Sequence, residues 1–344
     1  MNKRMIFYIQ GAILLIESAM MVLPIAAALI YREPSGIWFF YTALAAAIIG
    51  VAAMKLSRPR TKTIYAKEGL ITVALGWIVL SLVGALPFTL SGEIPFYLDA
   101  VFEMISGFTT TGSSILPNVE ALSHCMLFWR SFSHWLGGMG ILVFMLAIVK
   151  MEGGQGIHLL RAESPGPTVG KMVPRMVDSS KILYTIYFAL TLVQMVFYLA
   201  GGMPLFDSLC NAFATAGTGG FSIKADSFAS YSPYLQTVTT VFMALFGVNF
   251  SIYFFLLQKK FDLAFKNTEL RWYVGIILAA IAMITVIILP MYPSVHAAVH
   301  HAAFSVSSVI TTTGFCTENF DLWPEFSRII LAFLMIVGAS AGST

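Results

Sequence analysis

Ser106-Gly107-Phe108-Thr109-Thr110-Thr111-Gly112 decides the fold, because it is answered twice further along the chain. Ala216-Gly217-Thr218-Gly219-Gly220-Phe221 and Thr311-Thr312-Thr313-Gly314-Phe315 carry the same threonine-glycine step. Each step follows a short apolar stretch of helix length, Asp99 to Phe108, Asp207 to Thr215 and Ala298 to Ile310. A polar stretch follows it, and long apolar runs flank the whole. Registered on glycine, Gly219 stands 107 residues after Gly112, and Gly314 stands 95 after Gly219. The repeating unit is thus about a hundred residues, two long helices with a re-entrant loop between them. Gly112 follows Asp99 by 13 residues but Gly219 follows Asp207 by 12, so Gly220 is a rival for the equivalent position.

The runs around these loops are membrane-spanning in length and composition. Of 344 residues, 58% are hydrophobic and 11% charged, with mean hydropathy +0.82. No soluble domain has interior enough for that. A soluble enzyme, a secreted disulfide scaffold and a disordered regulator are excluded. So is a nucleic-acid binder, since a net charge of +3 provides no basic face. Cys125, Cys210 and Cys316 form no metal-ligand spacing. Eight spans are expected near 6–30 (interrupted by Glu17), 37–54, 69–92, 126–149, 182–203, 233–257, 272–292 and 327 to the end. The first is too long for a signal-peptide core and reads as an uncleaved helix. Lys3, Arg4, Lys55, Arg58, Arg60, Lys62, Lys67, Lys150, Arg161, Lys171, Arg175, Lys181, Lys259, Lys260, Lys266 and Arg271 all fall on one side of these spans. That bias makes the N-terminus and the even-numbered connections cytoplasmic. Acidic residues such as Glu33, Glu93, Glu103, Asp207 and Glu318 collect on the other side, either concentrating cations or filling the room the basic bias leaves.

A re-entrant loop cannot face lipid, because its backbone groups would go unsatisfied, so it lines a pathway. Glycine lets successive carbonyls point one way, and threonine adds hydroxyl oxygen without charge. Neutral oxygens of this kind replace the water around a monovalent cation. A divalent ion would want carboxylates, and none lies within the three steps. A single threonine-glycine stretch reads first as an external turn; it is the recurrence that points to a pathway.

These residues resemble the TrkH branch of the Trk/Ktr/HKT superfamily of potassium transporters. The resemblance runs along nearly the whole chain and includes Trp129-Arg130, Trp135-Leu136-Gly137-Gly138-Met139-Gly140 and the closing Gly338-Ala339-Ser340-Ala341-Gly342-Ser343-Thr344. It implies an all-α polytopic membrane protein of M1-P-M2 units as in potassium channels, three of four being present. Their bounds would be 67–155, 156–265 and 266–344, after two extra helices in 1–66. It further implies potassium uptake across the bacterial inner membrane through a filter with one glycine per repeat. Gly112, Gly219 and Gly314 are carried over as filter glycines. The backbone carbonyls of Thr110, Thr111, Gly217, Thr218, Thr312 and Thr313 lie beside them, and potassium is the ion held there. Gly338, Ala339, Ser340, Ala341, Gly342 and Ser343 match the family's gating loop in the third M2 helix. The implied partners are a cytoplasmic nucleotide-binding subunit of the TrkA type, a second copy of the chain and membrane lipid; any nucleotide acts through that subunit, and no cofactor is expected here. The chain stops where the family continues into a fourth repeat, so on its own it is expected to be an incomplete, non-conducting piece.

Other residues admit two readings. Glu17 either packs between helices or marks a partner or wet crevice. Arg130 is expected to snorkel to the interface or to pair with an outer carboxylate such as Glu103 or Glu120 instead of touching the ion. His296, His300 and His301 have spacing that would suit an intramembrane metalloenzyme, although no HExxH glutamate accompanies them. A carrier coupled to sodium or protons is the nearer rival, and parallel repeats without midplane charges argue against it.

Overall fold

A computed structural model describes residues 2–59, 66–138, 140 and 176–344. The distal part of the expected fourth span and the basic connection 150–181 up to residue 175 lie outside the described residues. The chain divides into two compact units, 1–184 and 185–344. Fifteen α-helices, and no strand, occur among the described residues. By length and composition five helical stretches can cross a membrane: Lys3–Tyr31, Gly36–Leu56, Lys67–Ser91, Lys181–Ala200 and Thr268–Met291. Pro233–Phe246 with Phe250–Leu257 makes a sixth, bent by 88°.

The first unit holds α1 (Lys3–Met20), α2 (Val22–Tyr31), α3 (Gly36–Leu56), α4 (Ala66–Gly84), α5 (Leu86–Ser91), α6 (Tyr97–Phe108) and α7 (His124–Gly138). Hydrophobic burial cannot drive helix pairing in lipid, so close backbone approach and polar ties must. Gly11 of α1 and Gly50 of α3 supply the approach: a Cβ on either would stand 2.7 or 2.8 Å from the other's carbonyl oxygen. The Ser18 hydroxyl donates to the Ala43 carbonyl (2.7 Å), and Gln10 Nε2 to the Thr72 carbonyl of α4 (2.9 Å). Glu17 is buried in this packing, with no hydrogen-bond partner on either carboxyl oxygen. It lies against Gly84, where a Cβ would be 3.1 Å from Oε1.

Two carboxylates seat the start of α7. Glu33 accepts from the backbone N–H of His124 (2.7 Å) and Cys125 (3.0 Å) and bonds His124 Nδ1 (2.8 Å). Glu93 accepts from the backbone and hydroxyl of Ser123, both at 2.8 Å, and from the Ser35 hydroxyl at 2.6 Å. Anionic groups at a helix N-terminus meet its exposed amides and the positive end of its dipole. Burial raises the Glu33 pKa, but the hydrogen bonds from Cys125 and His124 outweigh it and hold the carboxyl below its ordinary 4.5.

The second unit holds α8 (Met176–Ala200) from Thr185 onward, α9 (Leu205–Ala216), α10 (Pro233–Phe246), α11 (Phe250–Leu257), α12 (Phe261–Phe265), α13 (Thr268–Ile288), α14 (Val295–Ile310) and α15 (Glu325–Val337). Its core is built on α14: Ala298, Ala302, Val306 and Ile310 meet the α13 stripe Tyr273, Ile277, Ala280, Ile284 and Ile288, with Leu331 and Leu334 of α15. That stripe has the 3.6-residue period of one helix face. The sixth span, expected to be continuous, instead breaks at Gly247-Val248-Asn249. The break strands carbonyls at the end of α10, and two tyrosine hydroxyls answer them: Tyr273 donates to Ala244 (2.9 Å) and Tyr253 to Leu245 (2.6 Å). The eighth span is helical over Glu325–Val337 and ends at Gly338, whose φ is +69°.

Two outcomes follow from this packing. Gly11→Ala should lower unfolding stability in detergent by about 1–3 kcal/mol, because backbone and not a flexible side chain receives the new methyl. A folded-state pKa below the unfolded one gives stability that is complete above about 4.5 and is lost as pH falls through the depressed value. The melting temperature should therefore fall on acidification below that point, and Glu33→Gln, less stable at neutral pH, should show a flatter acid limb.

Candidate functional site

The short helices α6, α9 and α14 end in one backbone pattern. The first residue beyond each, Thr109, Gly217 or Thr311, donates its N–H four residues back, to Ile105 (2.9 Å), Phe213 (3.0 Å) or Ser307 (3.1 Å). The second, Thr110, Thr218 or Thr312, donates three back, to Gly107, Thr215 or Val309. The third, Thr111, Gly219 or Thr313, donates five back, to Ser106, Ala214 or Ser308. These crossed bonds form a Schellman ending, which needs a left-handed residue at the second position, usually glycine. Here it is threonine each time, with φ of 54° at Thr110, 49° at Thr218 and 57° at Thr312. A β-branched residue held there costs on the order of 1–3 kcal/mol and persists only where its surroundings impose it. Two residues on, Gly112, Gly220 and Gly314 also have positive φ, 78°, 77° and 83°.

This pattern corrects the glycine register. Gly220, not Gly219, is the geometric counterpart of Gly112 and Gly314, while Gly219 stands where Thr111 and Thr313 stand. Asp99 and Asp207 are each the third residue of a 12-residue helix, and Gly112 and Gly220 each lie 13 residues on. The two adjacent glycines of the middle loop hid this in the sequence.

Among the described residues, the carbonyls of Thr110, Thr111, Gly217, Thr218, Gly219, Thr312 and Thr313 accept no hydrogen bond. Each loop also receives the negative end of the short helix before it. The Thr109 and Thr111 hydroxyls bond each other at 2.8 Å, as do those of Thr311 and Thr313. The middle loop has glycine at both of those positions.

Each loop is braced from behind. In the first unit, Arg130 Nε donates to Glu103 Oε1 at 2.5 Å, both side chains being buried. Glu103 also accepts from the Ser114 hydroxyl (2.9 Å) and the Ile115 N–H (2.9 Å), so the pair holds the chain just past Gly112. Of the two partners expected for Arg130, the structure selects Glu103. His134 Nδ1 lies 2.9 Å from the Gly107 carbonyl, and a Cβ on Gly137 would strike the Phe108 carbonyl at 2.2 Å. In the second unit, the Ser308 hydroxyl donates to the Phe315 carbonyl (2.6 Å). The middle and third loops are stitched together: Phe228 N–H to the Cys316 carbonyl (3.0 Å), Cys316 N–H to the Ser227 hydroxyl (3.2 Å), and Phe228 against Phe315 with ring centres 4.6 Å apart. A Cβ on Gly220 would stand 1.9 Å from the Thr313 carbonyl oxygen.

The Gly338–Thr344 segment runs along the break in the sixth span, and the Thr218 hydroxyl reaches the Thr344 carbonyl (3.1 Å). The three histidines do not gather round a point. His300 Nε2 meets Gln236 Oε1 (2.7 Å), and His301 meets Thr317 (3.1 Å) and Glu318 (3.4 Å). No group of three or more His, Cys, Asp or Glu among the described residues is placed to hold a metal ion, so the metalloenzyme reading has no centre there.

The family profile of TrkH, described as cation transport protein, matches residues 38–344. The chain belongs to this family. A Trk system potassium uptake protein TrkH from Salmonella typhimurium is 36% identical over 350 residues, covering all of this chain and 72% of that protein. Trk system potassium uptake protein TrkG from Escherichia coli is 30% identical over 349 residues, covering 100% and 72%. The crystal structure of the potassium transporter TrkH from Vibrio parahaemolyticus superposes with a TM-score of 0.87 at 31% identity, covering 100% of this chain and 72% of that one. As a TrkH family member the chain is an all-α, multi-pass membrane transport protein and not an enzyme.

In this TrkH chain the loops and one of their braces were legible in the sequence, but Asn249, which bonds the Gly338–Thr344 segment, and Glu269, which bonds Asn249, were not. Gly247 and Asn249, next to each other but for Val248 in the 233–257 run, were the available signal. For the brace, Arg130→Met alone should cost about 3–5 kcal/mol, because it leaves the Glu103 carboxylate buried and unpaired. Adding Glu103→Leu should recover part of that loss; urea unfolding in detergent reads both.

Proposed function

We propose that the chain forms potassium-conducting wall in the bacterial inner membrane, its three threonine-glycine loops acting as a selectivity filter. In this reading the carbonyls of Thr110, Thr111, Thr218, Gly219, Thr312 and Thr313 take the place of water around a dehydrated potassium ion, and Gly112, Gly220 and Gly314 set the turn that aims them. The observation that carries it is the recurrence of unpartnered carbonyls at the same place beyond three short helices, where a cation supplies the partner. The negative ends of α6, α9 and α14 favour a cation, and loops without carboxylates favour a monovalent one. The relatives named as potassium uptake proteins support the choice of ion.

The rest of the reading follows the same family. Residues 67–155, 156–265 and 266–344 are the repeats, Gly338–Ser343 is the gate, and the N-terminus is cytoplasmic by the basic bias. A TrkA-type subunit supplies nucleotide regulation, and the working unit is a homodimer in anionic lipid.

Rubidium uptake and its inhibition by sodium, in a potassium-transport-deficient bacterium producing the chain as part of a four-repeat protein, test the filter. Alanine at a positive-φ glycine costs about 1–2 kcal/mol locally. Gly112→Ala, Gly220→Ala and Gly314→Ala should each reduce the preference for rubidium over sodium. Gly220→Ala should be the most damaging, because its methyl displaces the Thr313 carbonyl, whereas nothing lies within 4 Å of a Cβ on Gly314. Unchanged preference in all three would overturn the filter, and Gly219→Ala exceeding Gly220→Ala would restore the older register.

A further inference from the structure

Breaking an apolar span frees backbone groups that lipid cannot satisfy. At the break between α10 and α11 the Gly338–Thr344 segment satisfies them. Ser340 N–H donates to the Gly247 carbonyl (3.1 Å), Phe250 N–H to the Gly342 carbonyl (3.0 Å), and Thr344 through N–H (3.4 Å) and hydroxyl (3.2 Å) to the Phe246 carbonyl. Two non-helical stretches, far apart in sequence, thereby complete each other.

One buried side chain lies in the middle of this joint. Asn249 Oδ1 accepts from Ser251 N–H (2.9 Å), capping α11, and this fixes which way the amide points. Both Nδ2 hydrogens then have acceptors: the Ala341 carbonyl (2.5 Å) and Glu269 Oε2 (3.0 Å). A flipped amide would set Oδ1 against a carbonyl and a carboxylate, so the bonds themselves assign the orientation. Glu269 is in the first turn of α13, directly after the basic connection Lys259–Asn267. A hydrogen bond to a carboxylate is the stronger kind, so Glu269 holds the amide in place.

We infer that Asn249 is the positioning residue that clamps the Gly338–Thr344 segment shut, with Glu269 as its anchor. The inference deepens the gate reading given above and rests on it. Gly338 and Gly342, at φ +69° and +94°, give the segment backbone freedom, so its resting place must be imposed from outside. Among the described residues outside the segment only Asn249 and Thr218 hydrogen-bond it through their side chains, Thr218 at Thr344 and Asn249 at its middle. Movement of the α13 N-terminus shifts Glu269, slackens the amide and releases the middle of the segment while its end stays tied. The connection before α13 is thus coupled to the segment by two hydrogen bonds.

The test reads segment access directly. Ala339→Cys, in a chain with Cys316→Ser, is labelled with a water-soluble methanethiosulfonate in purified protein, and the rate is compared across variants. Asn249→Leu and Glu269→Leu should speed labelling at least tenfold, while Glu269→Gln, which still accepts from the amide, should stay within threefold. Should Asn249→Leu fail to elute as a single species, half-exposed Glu269 carries the test alone. Rates unchanged within twofold in folded Glu269→Leu would overturn the clamp. Rubidium uptake by the same variants separates the two readings: faster labelling with unaltered uptake keeps the clamp and removes the gate.

Discussion

Backbone that leaves the helix inside a membrane must find its hydrogen bonds in protein. Every functional feature of this chain is a solution to that demand. The tyrosine hydroxyls on Ala244 and Leu245, the segment across Gly247 and the crossed bonds behind each threonine-glycine loop all close groups that lipid would leave open. Among the described residues, the carbonyls of Thr110, Thr111, Gly217, Thr218, Gly219, Thr312 and Thr313 stay without a protein partner.

The loops are held in a conformation their residues do not favour. Threonine in left-handed backbone is strained, and rigid neighbours maintain it: the buried Glu103–Arg130 pair behind the first loop, and the Cys316 and Phe228 stitches between the second and third. A strained turn on a rigid support keeps its carbonyl spacing, which a relaxed glycine turn would not. Rigidity also explains the thrift with charge. The Glu103–Arg130 pair behind the first loop is internally neutral, so it braces without repelling a cation.

Much of this was legible in the residues. Apolar run length reports on burial in lipid, a bulk property averaged over about twenty residues, and so five of the eight expected spans and a bent sixth appear among the described residues. For Arg130 the sequence left the interface, Glu103 and Glu120 open, and the structure pairs it with Glu103. The register of the middle loop did not emerge, because it is a matter of dihedral angle and Gly219 and Gly220 are indistinguishable by type. The break at Gly247 was likewise hidden, since its stability comes from partners more than 90 residues away in sequence. Glu17 was rightly singled out as unusual, yet it has no partner that its neighbours in sequence could have announced.

The middle loop lacks both hydroxyls of the Thr109–Thr111 and Thr311–Thr313 pairs yet follows the same path. What the copies share is therefore a torsion angle and not an amino acid. If these segments descend from one ancestral unit, their divergence has been free to exchange threonine for glycine wherever the curve of the chain survived. Kinship among such loops is better sought in angles than in letters.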